Sequence, residues 1–338
     1  MHIRLLFRLK HDTRLSKRRT MNTYLHALSS LPVLYEAGGN LKATRRQQLQ
    51  FCSPNIQEYS KEERCLHRMG LYTLPIHTFA SCKAERVRTN RITTHVWGIS
   101  VPKGSFLELM EGLYLSSPEF CFLQMASHLD LIDLIRFGYE LCGNYRIDSD
   151  SPYGFASVTP LTSKKKLTDY LQRSNGIPGT VKATRAARLI RDSSNSPRET
   201  ALSMMLGLPT RLGGWQFGDH LLNHPLETDE GGWTTTRRYI DIYWPDSGFG
   251  IEYDSDYFHA DSKRLANDSF REKTIALQGV RLMRLTNREL NSSRTRDLAF
   301  KLIAAELGIR LRNTSLDVLN RRRSLALRLL KPHDALWV

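Results

Sequence analysis

Apolar and polar positions alternate most strictly between Tyr239 and Asp254. In Tyr239–Trp244, Ile240, Ile242 and Trp244 fall on one side, and Tyr239, Asp241 and Tyr243 on the other. In Phe249–Asp254, Phe249, Ile251 and Tyr253 alternate with Gly250, Glu252 and Asp254. A period of two is that of a strand, whose successive side chains face opposite sides. Pro245-Asp246-Ser247-Gly248 is turn chemistry. The two runs therefore predict an antiparallel hairpin that can gather Asp241, Glu252 and Asp254 on one face. A helix is predicted over Lys263–Gln278, a third strand over Val280–Leu285, and a closing helix over Ser292–Leu307.

Elsewhere the pattern is mostly helical. Ser117-Pro118-Glu119 carries an N-cap residue followed by proline at the first helical position. An apolar segment follows to Leu141, and Ser127 with Asp130 offers a cap that would divide it into two helices. Glu119, His128, Asp130, Asp133, Arg136 and Glu140 punctuate this run. Charges are costly in hydrocarbon, so it reads as core helices and not as a membrane span. Helices are also predicted at Lys42–Phe51, from Lys164 to Arg173, at Thr180–Arg191 and at Ser196–Leu206, with an amphipathic helix over Leu311–Leu330. Short strands are expected in Gly70–His77 and Arg91–Ser100, and Trp215-Gln216-Phe217 reads as another. Asn144–Leu161, rich in Ser, Pro and Gly, reads as linker.

Composition adds a charge argument. The chain has 338 residues, 49 Lys and Arg against 34 Asp and Glu, and a net charge of +15. At 41% hydrophobic and 25% charged it has the balance of a folded protein of about two domains. The basic excess predicts an anionic partner, of which nucleic acid is the commonest large one. Lys182, Arg185, Arg188 and Arg191 recur every third residue and make a track suited to a phosphate backbone, although a solvated face has the same pattern. The first twenty residues carry seven Lys or Arg and read as a solvated or phosphate-contacting arm, with Met21 as an alternative start. Five well-separated cysteines without a C-x-x-C pair indicate neither a disulfide framework nor a structural zinc site, and fit a reduced cytoplasmic setting. His77, His95 and Cys82 are potential metal ligands whose spacing matches no usual site.

Carboxylates gathered on one sheet face are costly unless neutralised. A hard divalent cation, Mg2+ or Mn2+, is one neutraliser, since such ions take carboxylate oxygens, water and phosphate. The plainer reading is a solvated strand face. Glu199 also has two readings. It stands at the fourth position of Ser196-Pro197-Arg198-Glu199, which is a capping box, and it is a carboxylate upstream of the hairpin.

The order Asp241, Glu252-x-Asp254, His259, Asp268-x-x-Arg271 and Gly279–Thr286, preceded by Ser196-Pro197-Arg198-Glu199, resembles the very-short-patch-repair endonuclease-like family of the PD-(D/E)xK nuclease superfamily. The likeness spans roughly Ser193 to Asn291 and rests on about eight positions. It implies a catalytic set of Asp241, Glu252, Asp254, His259 and Glu199, with the metal on Asp241 and Glu252 and the scissile phosphate on Arg271. Lys182 and Arg185 would add contacts to the backbone. The superfamily lysine is missing, and Asp254 stands in its place. The stretch from Val101 to Gly143, with Leu115-Ser116-Ser117-Pro118-Glu119, is similar to part of the abortive-infection (AbiEi-type) antitoxin proteins.

Together these readings predict an α+β chain. A mainly helical N-terminal domain with a few short strands precedes a restriction-endonuclease-like core, a small mixed sheet flanked by helices. The boundaries expected are 1–60 (arm and short helices), 61–143 (antitoxin-like), 144–178 (linker with one helix), 179–310 (nuclease-like) and 311–338 (basic helix). The function expected is metal-dependent hydrolysis of DNA in repair or phage defence. The alternative is an inactive DNA-binding regulator that works with a toxin or another defence-system partner.

Overall fold

The computed structural model describes residues 23–37, 41–43, 66, 74–110, 112–229, 235–254, 273–311 and 315–331. The basic arm, His259, Asp268 and Arg271 lie outside the described residues, as does the predicted helix beyond Ala43. The chain is a mixed α+β protein that divides into two compact units, Met1–Ser117 and Pro118–Val338. The helices of 118–143, expected with the antitoxin-like region, thus belong to the second unit. Among the described residues, no helix is long and apolar enough to cross a membrane.

The first unit carries β1 (Thr23–Leu25), α1 (Ala27–Ala37), β2 (Lys42–Ala43), β3 (Ile76–Ala80), β4 (Ile92–Val96), β5 (Phe106–Met110) and β6 (Leu113–Ser116). They form a six-stranded sheet in the order β2-β5-β6-β1-β3-β4. β1 runs parallel to β6 and antiparallel to β3, and β3 is parallel to β4. Two expectations change here. Lys42 and Ala43, expected to open a helix, pair with Glu108 and Leu107 as a strand. The described part of this unit is mainly sheet, not mainly helix. The reason is local. These strands are two to five residues long, too short for a clear period of two, and only the β-branched Ile92-Thr93-Thr94 advertises itself. The core closes around Tyr24, which lies 4.9 Å, ring to ring, from both Phe106 and Tyr114.

The second unit begins with α2 (Pro118–Met125) and α3 (Leu131–Leu141). Asp130 divides the apolar run as expected, its carboxylate accepting the Asp133 amide at 3.0 Å. Leu134, Ile135, Phe137, Tyr139 and Leu141 are fully buried, each worth about 2 kcal/mol of apolar transfer. The expected linker is tied to the core. β7 (Tyr145–Ile147) and β8 (Phe155–Ser157) pair in it, and the Leu161 amide returns to the Leu141 carbonyl. Then come α4 (Lys164–Gln172), α5 (Thr180–Ala187) and α6 (Pro197–Gly207). Trp215 and Phe217, expected in a strand, instead donate their amides to the Met205 and Leu206 carbonyls at the end of α6.

A four-stranded mixed sheet follows, in the order β12-β11-β10-β9, made of β9 (Leu221–Asp229), β10 (Thr235–Trp244), β11 (Phe249–Asp254) and β12 (Arg281–Thr286). β10 is antiparallel to both neighbours, and β11 is parallel to β12. The predicted hairpin is therefore present, closed by a tight turn at Pro245–Ser247 with Gly248 at φ 56°. α7 (Asn287–Asn291), α8 (Ser293–Glu306) and α9 (Leu316–Leu330) complete the unit. α9 packs back on it. Leu325, Ala326 and Leu329 are buried, Arg322 covers the Trp215 ring at 3.7 Å, and Arg328 bonds to both Asp130 and Asp133.

Candidate functional site

The site is built where α6 meets the central hairpin. Ser196 caps α6, its hydroxyl accepting the Glu199 amide at 3.1 Å, and Pro197 occupies the first turn. In a capping box the glutamate would bond back to the cap amide. Glu199 does something different. Its Oε2 accepts the amide of Asn195, one residue before the cap, at 2.9 Å, and the side-chain amide of Asn223 at 2.7 Å. Oε1 takes the Ser196 hydroxyl at 3.1 Å. The carboxyl is buried, 8% exposed.

Asn223 reaches Glu199 because β9 is distorted there. Ile240 pairs with His224 and Ile242 with Leu222, which leaves Asp241 facing Asn223 between the two pairs. Asn223 has φ 45°, the left-handed region that asparagine tolerates better than most residues. Its side chain donates to Glu199 Oε2 and to the Ser193 carbonyl at 2.8 Å, and accepts from Asn195. Both donors and the carbonyl of this side chain are thereby engaged. The strict alternation expected of β10 also breaks at this point. Ile240 clusters with Ile275 and Val280, and Tyr243 packs against that same cluster.

Asp241 lies at the break. The β10–β11 pairing runs from Trp244 to Ile242, and beyond it the Asp241 Oδ2 accepts the Tyr253 amide at 2.8 Å. Its charge acts on Glu199. Burial first, and then Asp241, push the Glu199 carboxyl up to about 7, against the pull of its hydrogen bonds from Asn195, Asn223 and Ser196. A carboxyl so displaced by burial and a like charge is a candidate for handling protons or cations.

Of the remaining predicted residues, Glu252 is the residue next to the last ladder pair on β11 and stands beside Arg284 of β12 in register. Asp254 lies 3.8 Å from Arg284, both about two-fifths exposed. Lys182 and Arg185 lie on α5, and the exposed Lys182 ammonium donates to the Leu129 carbonyl at 3.1 Å. His259 and Arg271 fall outside the described residues.

Sequence reasoning missed Asn195 and Asn223, and also the buried polar chain that holds α6. Tyr139 and Ser203 share a hydrogen bond at 2.9 Å, and Ser203 another with His220 at 2.7 Å. Tyr145 and Ser194 both bond to Thr200, at 2.9 and 2.8 Å. Burial and the nearby Arg191 push His220 well below its ordinary range, so it is neutral near pH 7. The groups there able to ligate a cation are the carboxylate oxygens of Glu199 and Asp241, the ligand type of a hard divalent ion, and they already accept N–H bonds from Asn195, Asn223 and Tyr253. No protein-family model, curated protein or solved structure matches the chain.

Proposed function

We propose that the second unit is a metal-dependent DNA endonuclease that hydrolyses phosphodiester bonds. One observation carries this reading: the buried Glu199 of α6 is bonded to Asn223, which β9 sets opposite Asp241 of β10, so two carboxylates converge there, and the charge of Asp241 helps to raise Glu199. These are two of the acids that the family resemblance implies. Asp241 and Glu252 would hold Mg2+ or Mn2+, which when bound lowers the pKa of a water and offsets charge developing on the phosphate. Glu199, poised near neutrality, can take the proton of the attacking water. The water oxygen forms the new bond to phosphorus, the bond to the leaving oxygen breaks, and that oxygen is protonated. His259 would serve as a base on the water or supply that proton, and Arg271 would hold the phosphate. The cations of α5, Lys182 and Arg185, would bind the DNA backbone.

A second reading, a catalytically inactive DNA-binding regulator with a toxin or other defence-system partner, has one observation in its favour. Where the superfamily has a lysine, this chain has Asp254, and its neighbour is Arg284. The test separates the two. Purified wild type, Asp241→Ala and Glu199→Gln are incubated with supercoiled plasmid, mismatched duplex and single-stranded DNA, with Mg2+, Mn2+ or EDTA. The endonuclease predicts nicking by wild type that EDTA and Asp241→Ala both abolish. Salt-sensitive DNA binding without cleavage under either metal establishes the regulator.

A further inference from the structure

Arg198 has no part in the reading above, yet it stands next to Glu199 in the first turn of α6. It is half-buried, and its Nη1 donates to Oδ1 of Asn291 at 3.2 Å in a bond open to solvent. Asn291 ends α7, the helix that directly follows β12. Its Nδ2 donates in turn to Asn287 Oδ1 at 2.9 Å, and the same oxygen accepts the Tyr253 hydroxyl at 3.0 Å. Tyr253 is the residue whose amide holds Asp241. Bonded side chains therefore run from Arg198 through Asn291 and Asn287 to Tyr253 and so to Asp241, while Glu199 neighbours Arg198 along α6. The guanidinium is fixed to the same elements that place the two carboxylates.

Among the described residues, no carboxylate pairs with Arg198. Arg281, Arg284 and Arg328 of the same unit each face one. A guanidinium carries several N–H donors in a fixed fork, and the neutral Asn291 accepts from only one of them while leaving the charge uncancelled. We propose that Arg198 binds a phosphate of the nucleic-acid backbone at the Glu199–Asp241 site, with Asn291 positioning its guanidinium. The inference rests on the nuclease reading of that site and deepens it. Charge balance is the reason. A phosphodiester that approaches Asp241 and the acids of β11 meets like charge. The superfamily lysine is absent, and Asp254 in its place adds a negative charge. A guanidinium held beside Glu199 restores a positive one, and its planar fork matches two phosphate oxygens where an ammonium would act as a point charge.

The test uses full-length protein in two assays, with circular dichroism showing each variant folded. Binding of a labelled duplex is followed by fluorescence anisotropy in EDTA across a salt series, where hydrolysis plays no part. Nicking of supercoiled plasmid is followed in Mg2+. Arg198→Ala should lower the slope of log K against log salt by about 1. Asn291→Ala removes no charge, and it should weaken binding in the wild-type background but not in Arg198→Ala. Single-turnover nicking should fall about 100–1,000-fold in Arg198→Ala, the loss typical of one donor to a developing oxyanion. An unchanged slope in Arg198→Ala overturns the proposal, as do equal effects of Asn291→Ala in both backgrounds or nicking by Arg198→Ala at the wild-type rate. Wild type that binds DNA but nicks under no metal refutes the nuclease reading alone, and the slope and the paired Asn291 comparison then still decide whether Arg198 holds a phosphate.

Discussion

The side-chain amide of Asn223 donates to Oε2 of Glu199 at 2.7 Å, and this bond joins a strained strand to a helix cap. Without Asn223 the carboxylate would keep the Asn195 amide and the Ser196 hydroxyl but lose a donor that favours its ionised form. The carboxyl would then titrate higher than it does now, so Asn223→Gly and Asn223→Ala should both move the alkaline rise of cleavage upward. The two differ in stability. Glycine accepts φ 45° freely, whereas alanine does not, and the alanine variant should be the less stable by about 1 kcal/mol. Paired pH–rate profiles and urea denaturation check both statements. An unchanged profile in a folded Asn223→Gly would show that Asn223 does not position Glu199.

Glu199 makes stability depend on pH in an unusual direction. Its folded value, about 7, lies above the ordinary 4.5. Between those limits the folded state binds more protons than the unfolded one, so stability falls as pH rises. The stabilisation is fully present below about pH 4.5 and is lost as pH passes 7. A tenfold difference in proton affinity between folded and unfolded chains corresponds to about 1.4 kcal/mol, so the full effect is on the order of 3 kcal/mol in metal-free protein. Glu199→Gln keeps a carbonyl acceptor and carries no charge, and it should flatten this slope and be more stable than wild type at pH 8. Urea denaturation in EDTA at pH 5.5, 7 and 8 measures it. A wild type as stable at pH 8 as at 5.5, after correction by the variant, would contradict the assignment.

The central hairpin was legible because its two runs alternate and a Pro-Asp-Ser-Gly turn joins them. The strand beside it was not. β9 reads Leu-Leu-Asn-His-Pro-Leu-Glu-Thr-Asp, and the proline demotes it on any sequence criterion. Pro225 is tolerated because β9 is the edge of its sheet, where a missing amide costs no ladder bond on the outer side. Glu199 and Asp241 could be singled out from the chain, but Asn223 could not, since its role depends on a left-handed backbone opposite Asp241. His77 and His95 meet, Nδ1 to Nε2 at 2.8 Å, for a related reason. Strand register, not a linear motif, brings them together.

A divalent cation should stabilise the second unit most where Glu199 is ionised. Mg2+ bound near Asp241 and Glu199 competes with the proton that Glu199 holds below pH 7. The rise in Tm on adding Mg2+ is therefore expected to be larger at pH 8 than at pH 6. At a hundred times Kd the stabilisation is about 2.7 kcal/mol. Asp241→Ala should abolish it at both values. Equal Mg2+ shifts in wild type and Asp241→Ala, followed by thermal unfolding, would place the cation elsewhere.

Arg328 should help the apolar face of the last helix to seat it. It bonds to the Asp130 carboxylate at 2.6 Å and to Asp133, and Asp130 is itself the cap of α3. Its side chain is 35% exposed, so the ion pairs are partly screened, but the charge-assisted bonds are short and doubled. Arg328→Ala is expected to lower stability by about 1–2 kcal/mol, and Arg321→Ala, whose ion pair with Asp317 lies within the exposed face of α9, by about 0.5 kcal/mol or less. Equal losses by denaturant unfolding would show that α9 is held by its apolar face alone.

The cations of α5 allow a last test, independent of cleavage. Lys182, Arg185 and Arg188 lie along one helix and its C-cap, and the other side of that helix, Ala183, Ala186 and Ala187, is buried. If this face follows a DNA backbone, each cation that meets a phosphate releases a counterion, and each replacement by alanine should reduce the slope of log K against log salt by about 1. The loss should be similar for unrelated DNA sequences, because phosphate contacts carry no base information. Fluorescence anisotropy with a labelled duplex in EDTA, across a salt series, measures binding with hydrolysis excluded. Stability should barely change, since the buried side of the helix is left intact. A slope unchanged in the triple alanine variant would mean that the face is merely solvated and that the basic excess of the chain meets nucleic acid through other residues.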